Sequence, residues 1–301
     1  MSQILVVGSL AYDSIKTPSG SVSRTLGGSA NYFSLAASLL APVRVVGVIG
    51  DDYVDADKNL LLQRRVDLSG LEKVHGKTFH WEGFYDTNLN EAQTLKTELN
   101  VFESFSPKLP TQFKDSEFVF LANIAPELQL QVLEQVSRPK FVGMDTMNYW
   151  ITSKKSALHE VLSKVDVLLI NETESEMLTG APNAIAAASK LVQMGPQAVV
   201  IKRGEYGFAL YTKSEGFHIL PAFPIEIVVD PTGAGDTFAG GFFGYLASLG
   251  RVPTVTDMKA ACVAGTILAS FTIQDFGVKA IAEVTEAHLN LRREKYLKVI
   301  C

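Results

Sequence analysis

The chain has 301 residues, of which 47% are hydrophobic and 20% charged, and this is typical of one large α/β domain with a small appendage. Its net charge of −5 excludes general nucleic-acid binding, because that function needs a basic surface. Two distant cysteines, Cys262 and Cys301, exclude a disulfide framework, and the scattered histidines exclude a histidine metal cluster.

The first residues predict neither a targeting segment nor a membrane anchor. The chain begins directly with an apolar strand instead of a basic region and an apolar leader, so we expect a cytoplasmic protein. The charge-free stretch Thr25–Val43 is interrupted by Gly, Ser, Asn and Pro, so we expect no membrane span. Small molecules are therefore the expected partners.

Apolar runs predict a series of strands that alternate with helical segments. The predicted strands are Ile4–Gly8, Val43–Ile49, Phe118–Leu121, Lys140–Met144, Val165–Ile170, Ala198–Ile201 and Glu226–Val229, and the helices between them include Pro126–Gln135 and Ala184–Met194. This order predicts βαβ units and a mainly parallel central sheet flanked by helices. Two later segments, Thr237–Leu249 and Ala260–Ile273, are apolar nearly all round and predict buried helices.

Between Lys77 and Phe105 the pattern changes to a period of two. Apolar and polar side chains alternate from Phe79 to Tyr85 and again from Leu95 to Val101, which predicts half-exposed strands. One face of these strands is expected to cover a substrate or a second subunit, unless they form an extra sheet edge packed on their own domain. No linker or repeat divides the chain, so residues 1–301 are expected to form a single domain.

The most informative motif is DPTGAGDTFAGG, the run Asp230–Gly241, where the predicted strand Glu226–Val229 meets a helix. Its glycines allow backbone N–H groups to approach a transferring phosphate, and the helix start adds the positive end of its dipole. Asp236 is suited to take a proton from an attacking hydroxyl beside that phosphate. The alternative is structural, with a favourable acid in a first helical turn and glycines in a tight turn.

This run resembles the D-x-x-G-A-G-D signature of the ribokinase (PfkB) family of carbohydrate kinases, and the resemblance covers most of the chain. It implies a ribokinase-like α/β fold with a small β-sheet lid, formed by segments of about 11–25 and 77–105. It also implies a kinase that uses ATP and Mg²⁺. Asp236 is then the general base, and the amides of Gly233, Ala234 and Gly235 hold the phosphate.

The resemblance places the acceptor near the N-terminus of the chain. Asp13 follows the first predicted strand and, at that strand's C-terminal end, is expected to hold sugar hydroxyls; the alternative is a solvated turn aspartate. Gly27, Gly28 and Asn31 look like the family's G-G motif, which admits the substrate close to the backbone. The family places its asparagine one residue further on, and the alternative for Asn31 is a helix N-cap.

The resemblance assigns the nucleotide to residues further along the chain. Asn171 and Glu174 match the family's N-x-x-E motif, which arranges water around Mg²⁺; taken alone, the same residues are a common helix start. Lys202, Gly204 and Gly207 match a turn over the nucleotide phosphates, and the alternative is an ordinary hairpin. Gly265 lies where the family packs the nucleotide base, although core packing explains it equally well.

Two further features concern a cation and the departures from the family pattern. Asp230 and Thr232 lie where many relatives bind a monovalent cation such as K⁺. Asp55 replaces a glycine expected after Gly50-Asp51-Asp52, which leaves the substrate-side geometry open. The stretch Asp145–Trp150 lacks the family's arginine, and this disfavours an acceptor that is already phosphorylated.

We therefore expect an ATP-dependent kinase that phosphorylates a primary hydroxyl of a sugar or of an adenosine- or ribose-like nucleoside. The expected partners are a small-molecule acceptor and a second copy of the chain, as a homodimer through the lid, with no nucleic acid or membrane. Two alternatives stay open. One is a non-catalytic sugar or nucleotide sensor on the same fold, and the other is a kinase for a pyrimidine-like alcohol.

Overall fold

The computed structural model describes residues 2–300, which form two β-sheets and the helices packed on them. The strands are β1 (Ile4–Val7), β2 (Ala11–Thr17), β3 (Gly20–Gly27), β4 (Val43–Ile49), β5 (Asp67–Lys73), β6 (Phe79–Tyr85), β7 (Ala92–Glu98), β8 (Phe118–Leu121), β9 (Phe141–Met144), β10 (Val167–Asn171), β11 (Ala198–Lys202), β12 (Phe208–Thr212) and β13 (Gly216–Leu220).

The helices cover both faces of the larger sheet. They are α1 (Ser29–Ala37), α2 (Asp55–Gln63), α3 (Pro126–Gln135), α4 (Asn148–Ser153), α5 (Lys155–Leu162), α6 (Glu172–Thr179), α7 (Ala184–Gln193), α8 (Ala234–Ser248), α9 (Val255–Thr272), α10 (Lys279–Ala282) and α11 (Glu286–Ile300). Within residues 2–300, none of these helices has both the length and the apolar character needed to cross a bilayer.

The central sheet has nine strands in the order β13-β12-β11-β10-β9-β8-β1-β4-β5. The strands from β5 to β11 in this order are parallel, and β12 and β13 add an antiparallel edge. Strand β1 lies in the middle, where Ile4 pairs with Val43 on one side and with Phe118 on the other. The predicted mainly parallel sheet is therefore confirmed.

Two cores form, one on each face of this sheet. Helices α1, α8 and α9 pack on one face, where the Phe33 and Phe120 rings stack with centroids 4.6 Å apart and Phe243 lies 5.0 Å from Phe120. Helices α3, α5, α6 and α7 contribute to the core on the other face. Because parallel strands are buried on both faces, their sequences are continuous apolar runs, which made them predictable.

Glycines allow α1, α8 and α9 to approach one another closely. A Cβ on Gly240 would overlap the backbone oxygen of Phe33 on α1, and a Cβ on Gly241 would lie 2.8 Å from the Cα of Gly265 on α9. Helix α8 is therefore held between its two neighbours at backbone contact distance. This packing fixes the position of its first turn, which carries Gly233 and Asp236.

The strand predicted at Glu226–Val229 is wrong, because this segment is irregular and belongs to neither sheet. Its backbone groups form hydrogen bonds with residues that are not paired with it in a β-sheet. The Val229 N–H donates to the Ile273 carbonyl (2.8 Å), and the Val228 and Val229 carbonyls accept from the hydroxyls of Ser19 (3.1 Å) and Thr17 (2.7 Å). An apolar run alone does not distinguish such a loop from a strand.

The second sheet has four strands in the order β3-β2-β6-β7, and we call it the small sheet. Strand β2 pairs antiparallel with β3 and parallel with β6, and β6 pairs antiparallel with β7. The half-exposed strand predicted from Phe79 to Tyr85 is therefore confirmed as β6. The strand predicted from Leu95 to Val101 is wrong in its bounds, because β7 runs from Ala92 to Glu98, is mostly exposed and is followed by a 3₁₀ turn at Asn100–Ser104. Asp13 pairs with Trp81 in the β2–β6 register, so both residues belong to the face that also carries Tyr85.

We predict that Gly240→Ala destabilises the protein by roughly 1–3 kcal/mol, because an added Cβ forces α8 away from α1. Thermal unfolding should show a lower midpoint for this variant. Ser248→Ala, in the last turn of α8, is the matched control and should stay close to the wild type. An unchanged midpoint for Gly240→Ala would show that the helices do not depend on this close contact.

Candidate active site

The carboxyl edge of the parallel sheet brings the polar side chains together. Strand β10 ends at Asn171, β11 ends at Lys202, and Asp145 directly follows β9. Helix α8 begins near the same edge, with Asp236 in its first turn. Open α/β sheets place their ligands at this edge, because the loops that follow the strands converge there.

The start of α8 offers backbone amides to an anion. Gly233 is the N-cap in the left-handed conformation, with φ 74°, and a Cβ there would overlap the Tyr32 ring. The Ala234 N–H donates to the Pro231 carbonyl at 3.2 Å, whereas those of Gly233 and Gly235 have no hydrogen-bond partner within residues 2–300. Of the three predicted amides, two are therefore free to bind a phosphate oxygen.

Asp236 carries a carboxylate that is free to react. It is half-buried, and within residues 2–300 its side chain accepts no hydrogen bond. Burial, followed by the nearby charge of Asp145, raises the pKa of Asp236 to about 7, while Lys202 opposes the shift. A carboxyl group with a pKa near neutral is suited to general-base catalysis.

Lys202 forms a buried ion pair with Asp145, with 2.8 Å between Nζ and Oδ2. Burial by itself lowers the pKa of Lys202, but the carboxylates of Asp145 and Glu174 outweigh burial and raise it. The Nζ atom also lies 3.0 Å from the point where a Cβ on Gly235 would stand. The ammonium group is therefore placed beside a free amide of the α8 start, as its predicted phosphate contact requires.

Asn171 and Glu174 meet in a reciprocal cap at the start of α6. The Glu174 N–H donates to Asn171 Oδ1 at 2.7 Å, and the Asn171 N–H donates to Glu174 Oε2 at 3.0 Å. The helix-start alternative is thus present, yet Glu174 Oε1 accepts no hydrogen bond within the described residues. Burial, followed by the charge of Asp145, raises the pKa of Glu174 to about 7 despite Lys202.

Asp13 is the third residue of β2, so its expected position at the end of the first strand is wrong. The strand turns back at once into the small sheet, and this carries Asp13 over the carboxyl edge. A Cβ on Gly27 would overlap the Asp13 carboxylate, so only glycine fits there. Burial, followed by the charges of Asp230 and Asp236, raises the pKa of Asp13 to about 8, and a hydrogen bond from the Gly28 N–H opposes this shift.

Asn31 is directed away from this group of acids. It lies in the first turn of α1, whose N-cap is Gly28 with φ 90°, so Asn31 itself is not the cap. Its Nδ2 donates to the Gly27 carbonyl at 2.6 Å, and its Oδ1 accepts from the Tyr53 hydroxyl at 3.3 Å. The side chain is fully buried, and its amide is therefore occupied by the protein.

Asp230 and Thr232 tie the loop before α8 to its surroundings. Asp230 Oδ1 accepts from the Thr232 N–H at 2.9 Å and Oδ2 accepts from the Gly277 N–H at 3.0 Å. The Thr232 hydroxyl donates to the Tyr85 hydroxyl at 3.2 Å. A strand of the small sheet thus touches the loop that leads into the α8 start.

Three glycines remain of the residues predicted to bind the nucleotide, two in a turn and one between two helices. Gly204 and Gly207 both have positive φ, at 54° and 85°, and form the turn between β11 and β12. The connection between β6 and β7 contacts both predicted nucleotide regions. Its Asn90 Oδ1 atom lies 2.7 Å from the point where a Cβ on Gly204 would stand, and the Thr173 hydroxyl donates to Glu91 at 2.7 Å. Gly265 instead lies buried in the contact between α8 and α9.

Sequence reasoning assigned no role in this site to Asp145 or Tyr32, and it considered Tyr85 only for stacking on a nucleobase. Asp145 begins the stretch that resembles a family motif, but the missing arginine drew attention away from it. Tyr32 and Tyr85 reach the acids from α1 and β6, and the charges of Asp13, Asp230 and Asp236 contribute to raising the pKa of both hydroxyls. Within residues 2–300, no three His, Cys, Asp or Glu side chains are placed to hold a metal ion directly.

Comparisons with known proteins identify the family of the chain. The family described as pfkB family carbohydrate kinase matches residues 1–285. A cytidine kinase of Thermococcus kodakarensis is 34% identical over 255 residues, which cover 81% of this chain and 89% of that protein. A deoxyribokinase of Salmonella typhi is 26% identical over 262 residues, which cover 84% and 83%.

Solved structures show the same fold. The nucleoside kinase of Methanocaldococcus jannaschii superposes with a TM-score of 0.78 at 21% identity, covering 98% of this chain and 99% of that one. The Burkholderia thailandensis nucleoside kinase in complex with inosine has a TM-score of 0.76 at 20% identity, with 98% and 99% covered. The chain therefore belongs to the pfkB family of carbohydrate kinases and is a phosphotransferase of the nucleoside and sugar kinase type.

Proposed function

We propose that this protein transfers the γ-phosphate of ATP to a primary hydroxyl of a nucleoside or sugar, with Asp236 as the general base. The observation that carries this proposal is the Asp236 carboxylate. It is unpaired within residues 2–300, it has a pKa of about 7, and it lies in the first turn of α8 beside two free amides. A sensor protein has no need for such a base, so the free carboxylate favours catalysis.

The transfer follows from the positions of these groups. Asp236 takes the proton of the acceptor hydroxyl, and the hydroxyl oxygen forms a bond to the γ-phosphorus of ATP. The bond between that phosphorus and the oxygen that bridges it to the β-phosphate breaks, and ADP leaves. The amides of Gly233 and Gly235 and the ammonium of Lys202 stabilise the charge on the transferred group. Positioning and charge stabilisation supply most of the catalysis in phosphoryl transfer.

ATP is supported as the donor by a relative, since an aminoimidazole riboside kinase of Salmonella enterica was solved with an ATP analogue. The turn of Gly204 and Gly207 is proposed to cover its phosphates. Asn171 and Glu174 are proposed to hold Mg²⁺ through water, because this ion prefers oxygen ligands and keeps several waters. Glu174 Oε1 is free for such a contact, whereas Glu174 Oε2 and Asn171 Oδ1 each accept a backbone hydrogen bond. When bound, Mg²⁺ neutralises phosphate charge.

We favour a nucleoside as the acceptor. Relatives named as nucleoside and cytidine kinases support this choice, and so does the small sheet. The half-buried Trp81 shares a face with Asp13, and its indole lies over Gly83, where a Cβ would overlap the ring. An aromatic face beside a hydroxyl-binding acid suits a base attached to a sugar. Cytidine, inosine, ribose and fructose assayed for ADP release would identify the acceptor class.

The small sheet is proposed to act as the lid, because it contacts both substrate regions through Tyr85 and Glu91. A monovalent-cation site at Asp230 and Thr232 stays a prediction. Both oxygens of Asp230 already accept backbone hydrogen bonds, so a cation there would share or replace them. Dimerisation through the lid and a cytoplasmic location also stay predictions.

Asp236→Asn should lower kcat by roughly 10²–10⁴-fold, because the amide cannot accept the acceptor's proton. The affinity for ATP, measured by calorimetric titration, should change little, since Asp236 acts on the acceptor. Asp115→Asn, an exposed partner of Arg44, is the control and should keep full activity. Near-normal turnover of Asp236→Asn would refute the mechanism.

Glu174→Gln should raise the Mg²⁺ concentration needed for half-maximal rate, because the neutral amide orders the metal's water shell less well. A glutamine retains the cap of α6, since it also serves in capping boxes, so thermal stability should be largely kept. Glu176→Gln on the same helix is the control. Identical Mg²⁺ titrations for both variants would leave Asn171 and Glu174 with a helix-start role alone.

Asp13→Asn should stabilise the protein more at pH 8.5 than at pH 5.5. The folded-state pKa of Asp13, about 8, lies above its ordinary 3.8, so its ionisation progressively destabilises the folded state as the pH rises through this range. An asparagine avoids this loss, so the gain in the free energy of unfolding should be larger at pH 8.5 than at pH 5.5 by on the order of 1 kcal/mol or more. Thermal midpoints at both pH values measure the difference, and a gain that shrinks toward pH 8.5 would contradict the assignment.

A further inference from the structure

The hydroxyl of Tyr32 is buried and has no hydrogen-bond partner within residues 2–300. The residue lies on α1 and is 1% exposed. Buried hydroxyls in folded proteins are nearly always hydrogen-bonded, because leaving one unsatisfied is costly. Such a group in a kinase site calls for a partner that arrives with the substrate.

The surroundings of Tyr32 indicate that this partner belongs to the acceptor. Its pKa is raised well above the ordinary value, by burial first and then by Asp13, Asp230, Tyr85 and Asp236, in that order. These residues come from the small sheet, the loop before α8 and α8 itself, and the Tyr32 ring packs against Gly233 at the start of α8. The hydroxyl is therefore close to the elements that carry the proposed acceptor acid and base. A hydroxyl with a raised pKa keeps its proton and can donate it in a hydrogen bond.

Two features distinguish Tyr32 from its neighbour Asn31. The amide of Asn31 is occupied by Gly27 and Tyr53, so it has little left for a substrate. The Tyr32 ring is held against Gly233, whose missing Cβ leaves room for it, so the hydroxyl has a fixed position.

We propose that Tyr32 is an acceptor-binding residue whose hydroxyl donates a hydrogen bond to a secondary hydroxyl of the acceptor's sugar, next to a hydroxyl held by Asp13. This inference rests on the proposed function and names the residue that selects the acceptor's hydroxyl pattern. Asp13 and Tyr32 then bind different hydroxyls of one sugar, and Asp236 acts on the primary hydroxyl. A sugar that lacks the hydroxyl bound by Tyr32 leaves it unsatisfied, as it is without substrate.

The test compares the wild type with Tyr32→Phe and with a control variant, Tyr245→Phe. Tyr245 is a half-buried tyrosine near the end of α8. The acceptors are cytidine and inosine, each with its 2′-deoxy and 3′-deoxy analogue. With the complete nucleoside, Tyr32→Phe should raise KM roughly tenfold and change kcat little. It should also lose the discrimination against one deoxy analogue while keeping that against the other. Without substrate, its thermal midpoint should rise, because the unsatisfied hydroxyl is gone.

The outcomes separate this inference from the proposed function. A wild-type enzyme that phosphorylates ribose but neither nucleoside refutes the nucleoside acceptor, and ribose against 2-deoxyribose then tests Tyr32. A wild-type enzyme inactive on every acceptor refutes both proposals. If the wild type is active, two results for Tyr32→Phe overturn the role of Tyr32 and leave the proposed function standing. One is an unchanged KM with both discriminations kept, and the other is a lower melting temperature without substrate.

Discussion

The ion pair between Lys202 and Asp145 is the interaction on which the charge balance of the site depends. Buried carboxylates crowd the same edge of the sheet, and burial raises the pKa of Asp13, Glu174 and Asp236 to about 7 or 8. Lys202 opposes this shift at Glu174 and Asp236. Without that ammonium, burial and the charge of Asp145 would hold the pKa of Glu174 and Asp236 further above neutral. The proposed base would then carry its proton at neutral pH. Because the pKa values of Glu174 and Asp236 are about 7, an additional cation nearby would favour their ionised forms at neutral pH.

The positions of these charges depend in turn on contacts between backbones. Gly240 and Gly241 bring α8 against α1 and α9, and Gly233 brings the start of α8 against the Tyr32 ring. Gly27 makes room for the Asp13 carboxylate in the same way. The glycines therefore act less as flexible points than as places where two elements touch without a side chain between them.

The sequence predicted the parallel sheet well, because strands buried on both faces are apolar throughout. It failed at Glu226–Val229, where an equally apolar run satisfies its backbone through side chains and loops distant in the sequence. The motif around Asp145 did not reveal its ion pair, because the partner Lys202 lies 57 residues away along the chain. Asn171 and Glu174 show a different limit, because one spacing predicts both the helix cap that is present and the metal's water shell that is proposed. The orphan hydroxyl of Tyr32 is a property of three-dimensional packing alone.

The small sheet has one consequence for the order of events in a catalytic cycle. Its β2–β3 hairpin is tied to the loop before α8 through Thr17 and Val229, and its β6–β7 turn is tied to α6 through Glu91 and Thr173. As the proposed lid, the small sheet would break both contacts when it opens as one body. Release of the nucleotide product and release of the phosphorylated acceptor would then share one opening motion.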